Sequence, residues 1–225
     1  VRLPEELVFA AKYQGKTNEL LTQLAINVAL HAARVDQPRT LLDPMAGRGT
    51  TLLWALRYGL SSRGLEVDKS ALPAFQSHVR KQAKLHRFKH RLVDGRLGKP
   101  HRSRFMQLHV GDHTAQLIEG DSADARALLG EQRFDLVVTD LPYGIQHRVK
   151  GGKRNPLDTI KACADGWMES MRPGAALVVA FNSYLPPRAD IAAVFEALGC
   201  EHVQFAAPHR MSESIVRDLA VFRRP

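Results

Sequence analysis

Short, continuously apolar runs alternate with longer amphipathic ones along the 225 residues, and this alternation restricts the fold more than any other feature. The runs "RTLLD" (39–43), "SRGLEV" (62–67), "TAQLIEGD" (114–121), "FDLVVTD" (134–140) and "GAALVVAFN" (174–182) read as strands. Strands apolar on both faces belong to a parallel sheet covered by helices on each side. The intervening stretches supply those helices: "ELLTQLAINVALHAA" (19–33), "TLLWALRYG" closed by Gly59, "KSALPAFQSHVRKQAKLH" with Pro73 in its first turns, "SADARALLG", "PLDTIKACADGWMESM" and "PRADIAAVFEALG". The tail, "EHVQFAAPHRMSESIVRDLAVFRR" (201–224), reads as two strands joined by a polar turn and adds an antiparallel strand. The expected fold class is therefore α/β, doubly wound and mostly parallel, as one domain over residues 1–225.

Several classes are excluded by composition. No apolar run approaches the roughly 18 residues of a membrane span, and nothing at the start resembles a signal peptide. Cys163 and Cys200 have neither metal-type nor disulfide-framework spacing, which predicts a reducing, cytoplasmic setting. The net charge of +9 favours a polyanionic partner, nucleic acid ahead of an anionic membrane surface.

In a doubly wound sheet, ligands bind beyond the carboxyl ends of the strands. Four consecutive strand ends here carry acid or glycine: "LLD" before "PMAGRGT", "GLEV" before "DKS", "LIEG" before "DSAD", and "LVVT" before "DLPYG". The loop "DPMAGRG" (43–49) lacks the lysine of a phosphate-binding P-loop, and Leu52 stands where a dinucleotide fingerprint has its third glycine. Asp43 would also repel a pyrophosphate. It suits a ligand with an ammonium group, such as the methionine half of S-adenosylmethionine; a plain strand-to-helix turn is the alternative. Glu66, at the second strand end, is placed to accept from both ribose hydroxyls, and Asp121 from an adenine amine. Taken singly, each acid would be a solvated strand end or a helix cap.

These motifs resemble the class I S-adenosylmethionine-dependent methyltransferases, specifically the branch that methylates amines. That branch carries D-x-x-x-G-x-G after its first strand and [DNS]-P-P-[YF] after its fourth. The corresponding stretches are "DPMAGRG" and "DLPY", with Leu141 in place of the first proline. "YQGKTNELLTQLAIN" (13–27) is similar to the Y-x-G-x-T segment of the tRNA guanine methyltransferases that carry a THUMP domain. The resemblance implies a Rossmann-like, seven-stranded sheet with an antiparallel C-terminal strand. It also implies cofactor contacts from Thr17, Asp43, Met45, Ala46, Gly47, Gly49, Thr50, Glu66, Val67, Asp121, Ser122 and Asp140. By the same analogy Asp140 and the Leu141 carbonyl hold an exocyclic amine in line with the methyl group, Pro142 fixes the backbone, and Tyr143 stacks on the base. The implied reaction is methyl transfer to a nucleobase amine, guanine N2 in tRNA first. A DNA amino-methyltransferase, a small-molecule N-methyltransferase and a non-catalytic nucleic-acid-binding module are the rival readings. No full THUMP-sized domain precedes residue 13, so the chain is expected to work as a bare catalytic domain, to bind RNA through another surface, or to be a piece of a longer protein.

A basic insertion, about residues 80–113, interrupts the alternation between the second and third expected strands. "RKQAKLHRFKHRLVDGRLGKPHRSRF" (80–105) reads as a helix and loop that can track phosphates through Arg87, Lys89 and Arg91, with Phe88 or Phe105 stacking. "MQLHVGDHTAQLIEG" (106–120) reads as a hairpin about "GD". A second basic loop, "HRVKGGKRN" (147–155), places Arg148, Lys150, Lys153 and Arg154 on the substrate side. His86 with His90 and His109 with His113 are four apart but lack an evident third ligand, so no metal is expected.

Overall fold

A computed structural model describes residues 3–9, 18–141, 156–213 and 215–225. In chain order the elements are α1 (Glu6–Phe9), α2 (Glu19–Ala32), β1 (Thr40–Asp43), α3 (Thr50–Arg57), β2 (Ser61–Glu66), α4 (Ala71–His86), β3 (Arg91–Arg96), β4 (Arg104–Val110), β5 (His113–Glu119), α5 (Ala125–Leu129), β6 (Phe134–Asp140), α6 (Pro156–Glu169), β7 (Met171–Asn182), α7 (Arg188–Ala197), β8 (Glu201–Val203), β9 (His209–Ser212) and β10 (Ile215–Arg223). One sheet takes them in the order β3-β4-β5-β2-β1-β6-β7-β10-β8, with β9 paired to β10. The five central strands β5, β2, β1, β6 and β7 are mutually parallel. β10 runs antiparallel to β7, as the tail predicted.

Burial on both faces is visible in neighbouring residues. Leu41 packs among the side chains of α2, α3 and α4, whereas Leu42 packs among those of α5, α6 and α7. Leu136 and Val137 divide in the same way, because successive side chains on a strand point to opposite faces. Asn18 starts α2 by accepting from the backbone N–H groups of Leu20 and Leu21 at 2.9 and 3.1 Å.

Among the described residues the sheet has ten strands, where seven were expected. Two of the additional strands come from the basic insertion. The hairpin about Gly111 and Asp112 forms as β4–β5, but the segment expected to be loop also contains β3, which pairs antiparallel with β4. Phe105 explains the glycine inside that strand. A side chain on Gly95 would come within 2.5 Å of the Phe105 ring, so the missing Cβ lets the aromatic lie across β3. The tail, read as two strands, contains β8, β9 and β10.

Candidate active site

The parallel strands bring Asp43, Glu66 and Asp140 to one edge of the sheet, as the last residues of β1, β2 and β6. Asp121 follows two residues beyond β5 on the same edge.

Asp43 is 2% exposed. Burial pushes its carboxyl up to about 6, while hydrogen bonds from the Thr51 hydroxyl and the Met45 backbone N–H hold it from rising further. That shift corresponds to roughly 3 kcal/mol against ionisation, which a cation bound nearby would offset. Glu66 joins two loops: its Oε2 accepts from Gly47 N–H and its Oε1 from Asp68 N–H, each at 2.8 Å. A carboxylate has about four lone-pair positions, so two remain for ligand hydroxyls.

The two glycines of the loop do different work. Gly47 has φ +53°, and a Cβ built on it meets nothing within 4 Å among the described residues, so they leave the space above it open. Gly49 has φ +86°, and its Cβ would stand 2.8 Å from the Phe75 ring. Gly49 is therefore required by packing at the start of α3, while Gly47 leaves a surface on which a ligand can lie. Beside this loop Val67 is 57% exposed, a large apolar side chain available to the face of a flat ring.

Other expected contacts are divided by the structure. Ala46 is 7% exposed and packs into the core, with its N–H donating to the Leu65 carbonyl at 2.9 Å. Met45 is half-buried against the opposite core cluster, and Thr50 is buried as the first residue of α3. Asp121 is exposed and caps the short 3₁₀ turn Ser122–Asp124, with Oδ1 accepting from Ala123 N–H at 2.9 Å. The Ser122 hydroxyl points inward and accepts from Trp167 Nε1–H at 2.9 Å, tying the turn to α6. Thr17, Pro142, Tyr143, Arg148, Lys150, Lys153 and Arg154 lie outside the described residues.

Asp140 carries the main addition to the expected site. Arg217, near the start of β10, donates from Nη2 to Asp140 Oδ1. Register puts Asp140 opposite Ala180, Ala180 opposite Leu219, and Arg217 two residues from Leu219, so both charged residues lie on one face of the sheet. The small Ala180 between them leaves room for the guanidinium to cross β7. Arg217 is 1% exposed, and burial pulls its ordinary value down to about 10, still well above neutrality. It therefore meets Asp140 as a cation. A charged residue inside "SIVRDLAVF" was the available signal, but its partner is 77 residues away and no spacing reveals it.

Leu141 also acquires a reason. Its N–H donates to the Ala180 carbonyl at 2.9 Å, continuing the β6–β7 ladder, and its side chain is 4% exposed in the core. A proline here would forfeit that bond.

No protein-family model matches the sequence, and no curated protein matches it. Solved structures are similar in fold at low identity. TrmN from Thermus thermophilus superposes with a TM-score of 0.60 at 12% identity, over 94% of this chain and 50% of that one. This chain thus spans half the length of that protein. The rRNA methyltransferase AviRa from Streptomyces viridochromogenes gives a TM-score of 0.58 at 17% identity, over 96% of this chain and 89% of that one. Magnesium protoporphyrin IX methyltransferase ChlM from Synechocystis PCC 6803, with bound SAM, gives 0.59 at 11% identity, over 95% and 87%. These likenesses show a Rossmann-like methyltransferase fold, with antiparallel strands at the C-terminal side.

Proposed function

We propose that this chain transfers a methyl group from S-adenosylmethionine to the exocyclic amine of a nucleobase in RNA, guanine N2 in tRNA first, in a reducing cytoplasm. The observation that carries the reading is Asp140: an acid at the end of β6, beside the glycine loop of β1, held by a buried arginine.

The residues present fit the cofactor. Gly47 offers an open backbone surface, Glu66 keeps acceptor capacity for the ribose hydroxyls, Val67 offers an apolar face to the adenine, and Asp121 lies at the next strand end for its amine. Asp43 is the buried carboxylate that a cationic methionine moiety would favour in its ionised form. When bound, S-adenosylmethionine supplies an electrophilic methyl group on a sulfonium centre.

Asp140 orients the nucleophile. The lone pair of a nucleobase amine is delocalised into its ring, so the nitrogen attacks poorly until its hydrogens are held by acceptors that favour positive charge on it. Arg217 donates to Oδ1 and fixes the carboxylate, which leaves Oδ2 to accept from the amine. The Leu141 carbonyl is the second acceptor in this scheme, and Tyr143 the stacking ring. The RNA assignment draws support from the net charge of +9 and from the fold shared with an rRNA methyltransferase.

Calorimetric titration with S-adenosylmethionine at several pH values tests the cofactor site. The group that binds the cation is ionised Asp43, whose carboxyl is raised to about 6. Affinity is therefore expected to be constant above neutrality and to fall below pH 6, approaching tenfold per pH unit. Asp43→Asn should bind weakly at every pH and lose that dependence. Equal affinity at pH 5 and pH 7.5 in the parent protein would remove Asp43 from the site.

A further inference from the structure

Strand register divides the basic insertion between opposite ends of the sheet. β3 and β5 both run antiparallel to β4, so β3 points the same way as the strands that carry the site. Gly95 pairs with Phe105 and Phe105 with Ile118, one residue before the end of β5, where Glu119 pairs with Glu66. Arg96, Arg104 and the turn between them therefore sit at the edge that holds Asp43, Glu66 and Asp140. Arg91 instead pairs with His109, and His109 with Thr114 at the start of β5. α4 runs back from the catalytic edge and ends at His86, so Arg87 and Lys89 also lie at the far edge.

The turn at the catalytic edge is positively charged and shaped. No acid occurs between Asp94 and Asp112, a stretch that contains Arg96, Lys99, Arg102 and Arg104, all exposed. Asp94 lies 3.5 Å from Arg104 and offsets part of one charge, with both side chains about half exposed. The Leu97 N–H donates to the Ser103 carbonyl at 2.8 Å, and the Arg96 guanidinium donates to the Arg102 carbonyl at 3.3 Å. Leu97 and Phe105 pack against the core and anchor the turn from below.

Its distance from Asp140 defines what it can hold. Five strand spacings separate β3 from β6. At ~4.8 Å apiece they span about 24 Å along the sheet edge, out of reach of a nucleoside seated at Asp140. The same length covers several base steps of a nucleic-acid helix, whose rise is ~3.4 Å per step in B-form DNA and shorter in A-form RNA.

We infer that the turn of residues 96–104 grips backbone phosphates of a folded RNA substrate, about 24 Å along the sheet edge from the nucleotide being methylated. The inference rests on the nucleic-acid reading of the Asp140 site and names the surface that completes it. Phosphate contacts of this kind position the substrate and leave base choice to the active site.

Two triple variants separate the edges: Arg96→Ser with Lys99→Ser and Arg102→Ser, against Arg87→Ser with Lys89→Ser and Arg91→Ser. Binding of a transcribed tRNA is measured across a salt series, with cofactor affinity measured in parallel. The catalytic-edge variant is expected to lose tenfold or more in tRNA affinity near 0.1 M salt, where the Debye length is about 10 Å, and to flatten the salt slope by about 2 to 3. The far-edge variant should keep the parent slope, and both should bind S-adenosylmethionine as the parent does. Lys99→Glu alone, at the exposed tip, should move affinity in the same direction. Parent-like affinity and slope in the catalytic-edge variant, or a loss confined to the far-edge variant, would overturn the assignment while leaving the RNA reading standing. A parent protein that binds no tRNA and methylates a free nucleoside equally well would instead overturn that reading. Tighter binding to a DNA duplex of equal length would overturn the commitment to RNA.

Discussion

Asp140→Asn is expected to bind S-adenosylmethionine with near-parent affinity and to lose a hundredfold or more in single-turnover methyl transfer. The estimate follows from removing a preorganised acceptor at the place where positive charge develops, which commonly costs about that factor. The asparagine carbonyl still accepts from Arg217, so the fold should hold. Its NH2 group, a donor, is left facing the substrate amine, unlike the Asn of [DNS]-P-P-[YF] motifs whose oxygen is not taken by an arginine. Asp140→Ala should lose the same activity and, in addition, stability. Arg217 is 1% exposed, and removing its partner leaves a buried cation without that compensation, at a cost of roughly 3 kcal/mol. For a domain of this size that corresponds to a fall in Tm of roughly 6–12 °C. The double variant Asp140→Ala with Arg217→Met should recover much of the Tm and none of the activity. Single-turnover transfer by Asp140→Asn at the parent rate would take Asp140 out of the chemistry.

Gly47→Leu is expected to abolish detectable cofactor binding while leaving a folded protein. Its side chain would enter the open space above the loop, where none of the described residues lies within 4 Å of the added Cβ. The left-handed backbone at φ +53° adds about 1–2 kcal/mol of strain, small beside the lost ligand surface. Gly49→Ala should behave in the opposite way. Its Cβ would press 2.8 Å from the Phe75 ring at φ +86°, so Tm should fall before any direct effect on the ligand appears. Calorimetry and thermal melting on both variants distinguish the two roles. Undiminished cofactor binding by Gly47→Leu would reject the glycine loop as the cradle.

The central sheet and its row of strand-end acids were legible because parallel strands are buried on both faces. "FDLVVTD" can hardly be anything but a strand that ends in a presented acid. β3 was not legible, since "RLVDGR" combines charges and a glycine that strands usually avoid. An edge strand tolerates those charges, and the ring of Phe105 fills the place of the missing side chain. Spacing indicated that the insertion was basic but not which end of the sheet each arginine would reach. Only the pairings of Arg91 with His109 and of Arg96 with Arg104 decide that. Ser122 shows what a motif alone does not resolve. Its place after the third parallel strand suggested a ligand contact, whereas its hydroxyl is turned to Trp167. Arg217 was hidden for the simplest reason: contacts across a sheet between distant strands leave no local trace.

The most direct test of methyl transfer to a nucleobase amine in RNA uses S-adenosylmethionine carrying a deuterated methyl group. The full chain is incubated with bulk tRNA, the RNA is digested to nucleosides, and the labelled products are resolved by mass spectrometry. The account predicts label on an exocyclic nitrogen, guanosine N2 first, and loss of that label with Asp140→Asn. Label on ribose oxygen, on a ring carbon or on a ring nitrogen, or a labelled product that persists in Asp140→Asn, would contradict it.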